Sequence, residues 1–242
     1  LNLVSENKKH KRLRNIISAE LAKVLENTYR MMNIAIVQEF AEISEKIGAD
    51  LPNILTSIRN RPSHSNIRYA GLAPGGYCLT KDPNFLISSS ELVDFSYDFP
   101  ILKAANKILA RQNNIIMSYL LSRMKINLPH LFFGVSYLPG VGDTRGSSSL
   151  WMYQQLVKSD YSVYVIDPYC EEELSNSEKI LFYSEQEGPV KNGIIATRHP
   201  EFTIEYFKNL EVVFDINSCL SEEEKKYLRN RNIEVFQYGE NL

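Results

Sequence analysis

Cys78 follows directly on Gly75-Gly76-Tyr77, and Lys81, Asp82 and Pro83 come within five residues after it. Two glycines let a backbone approach a ligand closely and leave a thiol uncovered. A neighbouring cation favours the thiolate, which is the nucleophilic form of cysteine. If Cys78 opens a helix, Asp82 lies on the same face one turn later, where a carboxylate can act as a base for water. A turn before a helix, with Cys78 as a small apolar residue, explains the same residue types equally well. A second group lies upstream. At 100° per residue, Glu20, Lys23, Asn27 and Arg30 share an arc of roughly 80° on one helix. A solvated face is the ordinary reading of such a stripe, but asparagine is a modest helix former that an exposed face does not select.

The elements that must position these groups fall into two runs. Ser18 to about Ile47 is a long amphipathic pattern with Leu21, Leu25, Ile36 and Phe40 among its apolar positions. Asp50-Leu51-Pro52 caps and opens a short helix. Asn60 to Gly76 is rich in Pro, Ser, Asn and Gly and reads as a loop. A second long helix spans about Asp98 to Met124, with an apolar seam of Ile101, Leu102, Ala105, Ile108, Leu109, Ile116, Tyr119 and Leu120. After Asn127-Leu128-Pro129 the period changes. Leu131–Val135, Ser162–Ile166, Ile194–Thr197 and Glu211–Phe214 are strand-like, alternating with helical segments near 147–158, 200–208 and 221–231. That alternation predicts a parallel sheet with crossover helices, hence an α/β chain with a helical part over 1–127 and a sheet part over 128–242.

Composition narrows the class. The chain has 242 residues, 44% of them hydrophobic and 23% charged, enough for one large or two ordinary domains. A net charge of −2 argues against a nucleic-acid binder, and no apolar run reaches the ~18 residues of a membrane span. Three scattered cysteines and four scattered histidines suggest neither a disulfide framework nor a metal site, and they fit a reducing cytoplasm.

The stretch around Cys78 resembles the active-site signature of the UDP-glucose/GDP-mannose dehydrogenase family, Gly-Gly-x-Cys followed by an aspartate. Ala19 to Arg30, with its Ala-Glu-x-x-Lys and Glu-Asn-x-x-Arg elements, is similar to the family's central helix. Asn33-Ile34-Ala35 and Gly48-Ala49-Asp50 fall where that helix continues and ends. Gly142-Asp143-Thr144-Arg145 with Ser147-Ser148 resembles the Asp-Thr-Arg-Glu-Ser segment, with Gly146 replacing Glu, and Asp167-Pro168 matches the Asp-Pro after the next strand. The resemblance runs from about Ser18 to the C-terminus. It implies an all-helical dimerisation part followed by a Rossmann-like part that binds the nucleotide of a sugar substrate. It also implies a preceding NAD-binding domain. Nothing before Ser18 can be that domain, so the chain reads as a C-terminal portion that is inactive alone.

The family's chemistry, carried onto these residues, is oxidation of a nucleotide sugar's C6 hydroxyl to a carboxylate in two NAD-dependent steps. Cys78 would attack the intermediate aldehyde, and Lys23 and Asn27 would donate to the developing oxyanion. Asp82 would help activate water. Lys81 and Arg145 would face the cofactor, while Gly75, Tyr137 and an arginine at position 59 or 61, with 61 preferred, would touch the substrate. A homodimer is implied, with no nucleic-acid or membrane partner. Two departures concern the substrate: Leu138 stands where the family has lysine, and Asn217 where it has an arginine. A non-catalytic module that binds a nucleotide sugar or dimerises is the alternative function. The sugar and the base cannot be read from the chain.

Overall fold

The computed structural model describes residues 13–92, 97–174 and 180–240. The helical half begins with α1 (Ile16–Ile47), which is delimited by its own sequence. Asn15 accepts a hydrogen bond from Ser18 N at 2.8 Å, and Gly48 closes the helix with φ of 74°, a left-handed cap that glycine adopts without strain. α2 (Leu51–Arg59) starts on the Asp50 side chain, which accepts from Asn53 N at 3.1 Å. An extended loop follows, and then α3 (Cys78–Leu92) opens on the cysteine itself. α4 (Pro100–Leu121) completes this half. Both α3 and α4 pack along α1.

The sheet half contains β1 (His130–Phe133), α5 (Ser148–Lys158), β2 (Val163–Ile166), α6 (Glu171–Leu174), β3 (Asn192–Ile195), β4 (Val212–Asp215), α7 (Glu222–Arg229) and β5 (Glu234–Gln237). The strands lie in the order β2-β1-β3-β4-β5 and every pairing is parallel. In such a sheet the strand order reverses beside β1, and ligands bind outside the carboxyl ends of the strands at that crevice. The loops leaving β1, β3 and β4 carry Tyr137, His199 and Asn217 respectively. The predicted helix near 200–208 is replaced by a short 3-10 turn, Ile204–Tyr206, because Pro200 and the extended Thr203 leave too few residues for an α-helix.

One core cluster joins the halves, with Val37 and Ala41 of α1 and Ile116 and Leu120 of α4 continuous with Phe132, Met152 and Tyr153. The seam expected on α4 therefore divides. Leu102, Ala105, Ile116, Tyr119 and Leu120 are buried within the chain, Ile108 and Leu109 are half-buried, and Ile101 is 65% exposed. No helix of the described residues is long and apolar enough to cross a membrane.

His130 opens β1 fully buried, with Nδ1 lacking a partner among the described residues. Burial pushes its pKa from 6.5 down to about 4, against weaker opposing effects of the backbone at Leu128 and Ser162. Below pH ~6.5 the unfolded chain binds the proton first, so stability falls as pH drops through the window from 6.5 to 4. Each tenfold change in proton affinity carries ~1.4 kcal/mol, which makes the full loss about 3 kcal/mol. Urea titrations of wild type and His130→Phe at pH 7 and pH 4.5 check this: the wild type should lose more stability than the variant, and equal losses would contradict it.

Candidate active site and the adjoining cavity

The nucleophile candidate sits at the first turn of α3, and the Cys78 side chain is exposed. The first turn of a helix presents unpaired N–H groups to whatever anion develops there. One turn on, Asp82 is 8% exposed and accepts a hydrogen bond from Asn27 Nδ2 of α1 at 2.6 Å. The unusual asparagine of the polar stripe is thus 2% exposed and tied to the aspartate of the cysteine segment. Lys23, one turn before Asn27, is exposed and paired with Glu26 at 2.8 Å. To reach the thiol it must leave Glu26, a surface ion pair worth little. The structure brings Asn27 and Asp82 together and leaves Lys23 at the rim.

The Gly75-Gly76 turn is shaped by the sheet half. Gly76 N donates to Arg145 O at 3.2 Å, and a Cβ at Gly76 would lie 2.7 Å from the Tyr137 ring. Gly76 also has φ of +78°, so glycine is required on both counts. At Gly75 a Cβ would stand 2.8 Å from Gly146 O and from Tyr137 Cβ. Tyr137 thus seats the turn that presents Cys78. Its own loop is anchored below by Asp167, which accepts from Val135 N at 2.8 Å and pairs with His199 at 3.1 Å. Burial would raise the Asp167 pKa, but His199 and the backbone N–H groups hold it below the ordinary value. His199 Nδ1 accepts from Gly140 N at 3.0 Å, so Nε2 carries the proton toward Asp167. Ser136 Oγ also lies on Nε2, at 3.3 Å; serine and carboxylate on one nitrogen make a structural anchor rather than a charge-transfer triad.

Of the cationic candidates, Lys81 stands on the same helix as the thiol and Arg145 on the segment that the Gly76 turn rests against. Lys81 Nζ lies 4.3 Å from the Tyr77 ring centroid and 5.3 Å from that of Phe85. Arg145 is 76% exposed and grips Asp143 through Nε and Nη2, which lowers the Asp143 pKa to about 2.

Before the glycines the loop is held by carboxamides that the sequence reading did not single out, apart from Asn217. Gly71 N donates to Gln38 Oε1 of α1 at 3.3 Å, Leu72 N to Asn217 Oδ1 at 2.6 Å, and Ala73 N to Asn113 Oδ1 of α4 at 2.9 Å. Gly71 O accepts from Gln112 Nε2 at 2.9 Å. Asn217 spends its other end on Ala196 O at 2.5 Å. The residue standing in the family's arginine position is therefore a loop anchor here. Beside it lies a cavity of about 310 Å³ bordered by Arg30, Arg59 and Arg68 together with Gln38, Gly71 and Asn217. None of the three arginines pairs with a carboxylate among the described residues; Arg59 stacks on Tyr69 at 4.8 Å. Arg61 is exposed and does not border this cavity.

Residues 17–111 match the model of the UDP-glucose/GDP-mannose dehydrogenase family, central domain, and residues 131–222 match that of its UDP binding domain. The chain belongs to the UDP-glucose/GDP-mannose dehydrogenase family. Among curated relatives it is 31% identical over 198 residues to the UDP-N-acetyl-D-mannosamine dehydrogenase of Pyrococcus horikoshii, covering 78% of this chain and 44% of that protein. It is 27% identical over 157 residues to a UDP-glucose 6-dehydrogenase of Bacillus subtilis, covering 64% of this chain and 35% of the relative. The solved UDP-D-ManNAc dehydrogenase of Pyrococcus horikoshii superposes with a TM-score of 0.71 at 24% identity, over 94% of this chain and 53% of that one. The chain spans less than half the length of these curated relatives and about half of the solved chain. In this family member, the central-domain match holds Asn27, Cys78 and Asp82, and the UDP-binding match holds Tyr137 and Arg145.

Proposed function

We propose that this chain supplies the nucleophile and the substrate cavity of an NAD-dependent nucleotide-sugar 6-dehydrogenase, acting on a UDP-sugar in a reducing, cytoplasmic setting. The observation that carries the reading is an exposed thiol at a helix N-terminus, one turn from an aspartate held by a buried asparagine. A module that only bound or dimerised would have no use for that set. NAD, when bound, would supply the hydride acceptor, and the half-buried Lys81 and the exposed Arg145 would suit its negative charge.

The chain's own steps follow from chemistry. The Cys78 thiolate adds to the aldehyde carbon; its sulfur forms a C–S bond and the carbonyl pair becomes an oxyanion, a thiohemiacetal after proton uptake. Asn27 Nδ2 would donate its second N–H toward that oxyanion, the hydrogen bond of the first to Asp82 fixing the amide's orientation. Lys23, freed from Glu26, adds charge at the same position. Loss of hydride leaves a thioester at Cys78. Asp82 takes a proton from water as it attacks, and the C–S bond breaks to release the carboxylate and the thiolate. Gly75 and Tyr137 line the approach, and Arg61 at the rim is available to a neighbouring subunit's substrate.

The arginine-bordered cavity is the place for the diphosphate, since guanidinium forks match phosphate oxygens. It takes over the charge that Leu138 and Asn217 do not provide. Isothermal titration with UDP and with UDP-N-acetyl-D-mannosamine tests this. Both should bind, and Arg68→Ala should weaken binding by about ten- to a hundredfold, the weight of a charged hydrogen bond. An unchanged affinity in the variant would contradict the assignment.

A homodimer completes the proposal. Leu21, Leu25, Tyr29, Ile36, Phe40, Ile43 and Ile47 are all exposed, and their spacings of three, four and seven put them on one stripe of α1. Of these, Tyr29, Ile36 and Phe40 border, with Ile101 of α4, an apolar groove of about 660 Å³. A second copy, offering the same stripe across a two-fold axis, is the occupant whose shape and chemistry match it. Light scattering at micromolar concentration should give twice 27.8 kDa. Ile36→Glu with Phe40→Glu should return the monomer, and a wild-type monomer would contradict the dimer.

A further inference from the structure

Of the four carboxamides around Gly71–Ala73, two have both ends engaged. Asn113 Nδ2 donates to Ser148 Oγ at 2.9 Å and Asn217 Nδ2 to Ala196 O, while Gln112 donates through Nε2 to Gly71 O and leaves Oε1, an acceptor away from the cavity, without a partner among the described residues. Gln38 differs. It is 1% exposed, its oxygen receives the Gly71 N–H, and its Nε2 has no partner among the described residues. The orientation is forced, because an N–H can meet only the oxygen end of the amide. A buried amide donor left unpaired has given up its hydration with nothing in return. The same side chain borders the cavity flanked by Arg30, Arg59 and Arg68.

We infer that Gln38 couples occupancy of the arginine-bordered cavity to the loop that ends in Cys78. An anionic oxygen entering the cavity is the missing acceptor for Nε2. Accepting that bond polarises the amide and strengthens its oxygen as an acceptor for Gly71 N–H. The neighbouring N–H groups of Leu72 and Ala73 are already held from the loop after β4 and from α4, so tightening at Gly71 completes a row of three anchored amides. The segment from Gly71 to Gly76 is short, and the sheet half pins its far end through Tyr137 and Arg145 O. A bound phosphate thereby fixes the thiol's approach without touching it. Gln38 is a positioning residue in this scheme; the inference rests on the assignment of the cavity to the phosphate-bearing part of the ligand.

The test uses UDP as the probe and backbone amide exchange as the readout. In wild type, saturating UDP should slow exchange at Gly71, Leu72 and Ala73 by about tenfold or more, the effect of one added hydrogen bond's worth of protection. Gln38→Glu keeps the acceptor for Gly71 but replaces the donor by an anion. It should bind UDP about tenfold or more weakly and lose the added protection at Gly71. UDP bound by wild type with no change at Gly71 overturns the coupling, as does a Gln38→Glu variant with wild-type affinity and protection. Should that variant not fold by near-ultraviolet circular dichroism, the wild-type exchange comparison decides alone. If UDP fails to bind wild type, the cavity assignment falls, and the coupling with it.

Discussion

Cys78→Ser, in a protein joining this chain to a dinucleotide-binding domain, is expected to lose carboxylate formation from a UDP-sugar by on the order of a thousandfold or more. A serine hydroxyl occupies the same place at the start of α3, but without a base beside it an alcohol is a weak nucleophile at neutral pH. The first oxidation, alcohol to aldehyde, does not need the sulfur. The variant should therefore release or retain aldehyde while the wild type runs through to carboxylate. Product analysis by mass spectrometry separates the outcomes. A variant that makes carboxylate at near the wild-type rate would remove Cys78 from the chemistry.

Gly134→Ala is expected to produce the largest loss of stability. Gly134 directly follows β1 with φ of +81°, and an added Cβ would run into Thr197 O and stand 2.7 Å from Thr197 Cβ. The strained φ alone costs of order 1–3 kcal/mol, and the contact with the backbone has no flexible side chain to yield. Together they should exceed about 4 kcal/mol, the range in which domains of ordinary stability fail. Gly188 gives the control: its φ is +77° with nothing within 4 Å of a Cβ, so Gly188→Ala carries the backbone strain alone. Urea midpoints should fall far more for position 134 than for 188. Equal shifts would show that the loop carrying Tyr137 yields easily, and the argument that it seats the Gly75-Gly76 turn would weaken.

Much of the fold is written locally. α1 was expected over Ser18 to Ile47 and spans Ile16–Ile47, because its cap and its terminal glycine are short-range signals. The first four strands fall within two residues of the β-branched runs that mark them. β5, Glu234–Gln237, escaped because two of its four residues are polar and it lies at the sheet edge, where alternation is short. The α4 seam was legible as apolar, yet its division into a buried part and an exposed part depends on how α1 packs, which no period records.

The site was legible where chemistry constrains residue type. Asn27 stood out as wrong for a solvated face, and it proves buried on Asp82. The carboxamide anchors were not legible. Gln38, Gln112, Asn113 and Asn217 lie between 33 and 145 residues from the loop they hold, and a lone Gln or Asn on a helix announces nothing. Of the cavity arginines, Arg30 was legible only as part of the polar stripe and Arg59 only as the less preferred alternative to Arg61, while Arg68 read as an ordinary surface residue until the loop folds beside it.

The most direct measurement places a UDP-sugar 6-aldehyde, labelled with carbon-13 at C6, in contact with the chain and follows that carbon by NMR. Addition of the thiolate needs no cofactor, so the carbonyl and hydrate signals should give way to a thiohemiacetal resonance in wild type and not in Cys78→Ala. A spectrum in which wild type and variant leave the aldehyde alike would contradict Cys78 as the nucleophile of this family member.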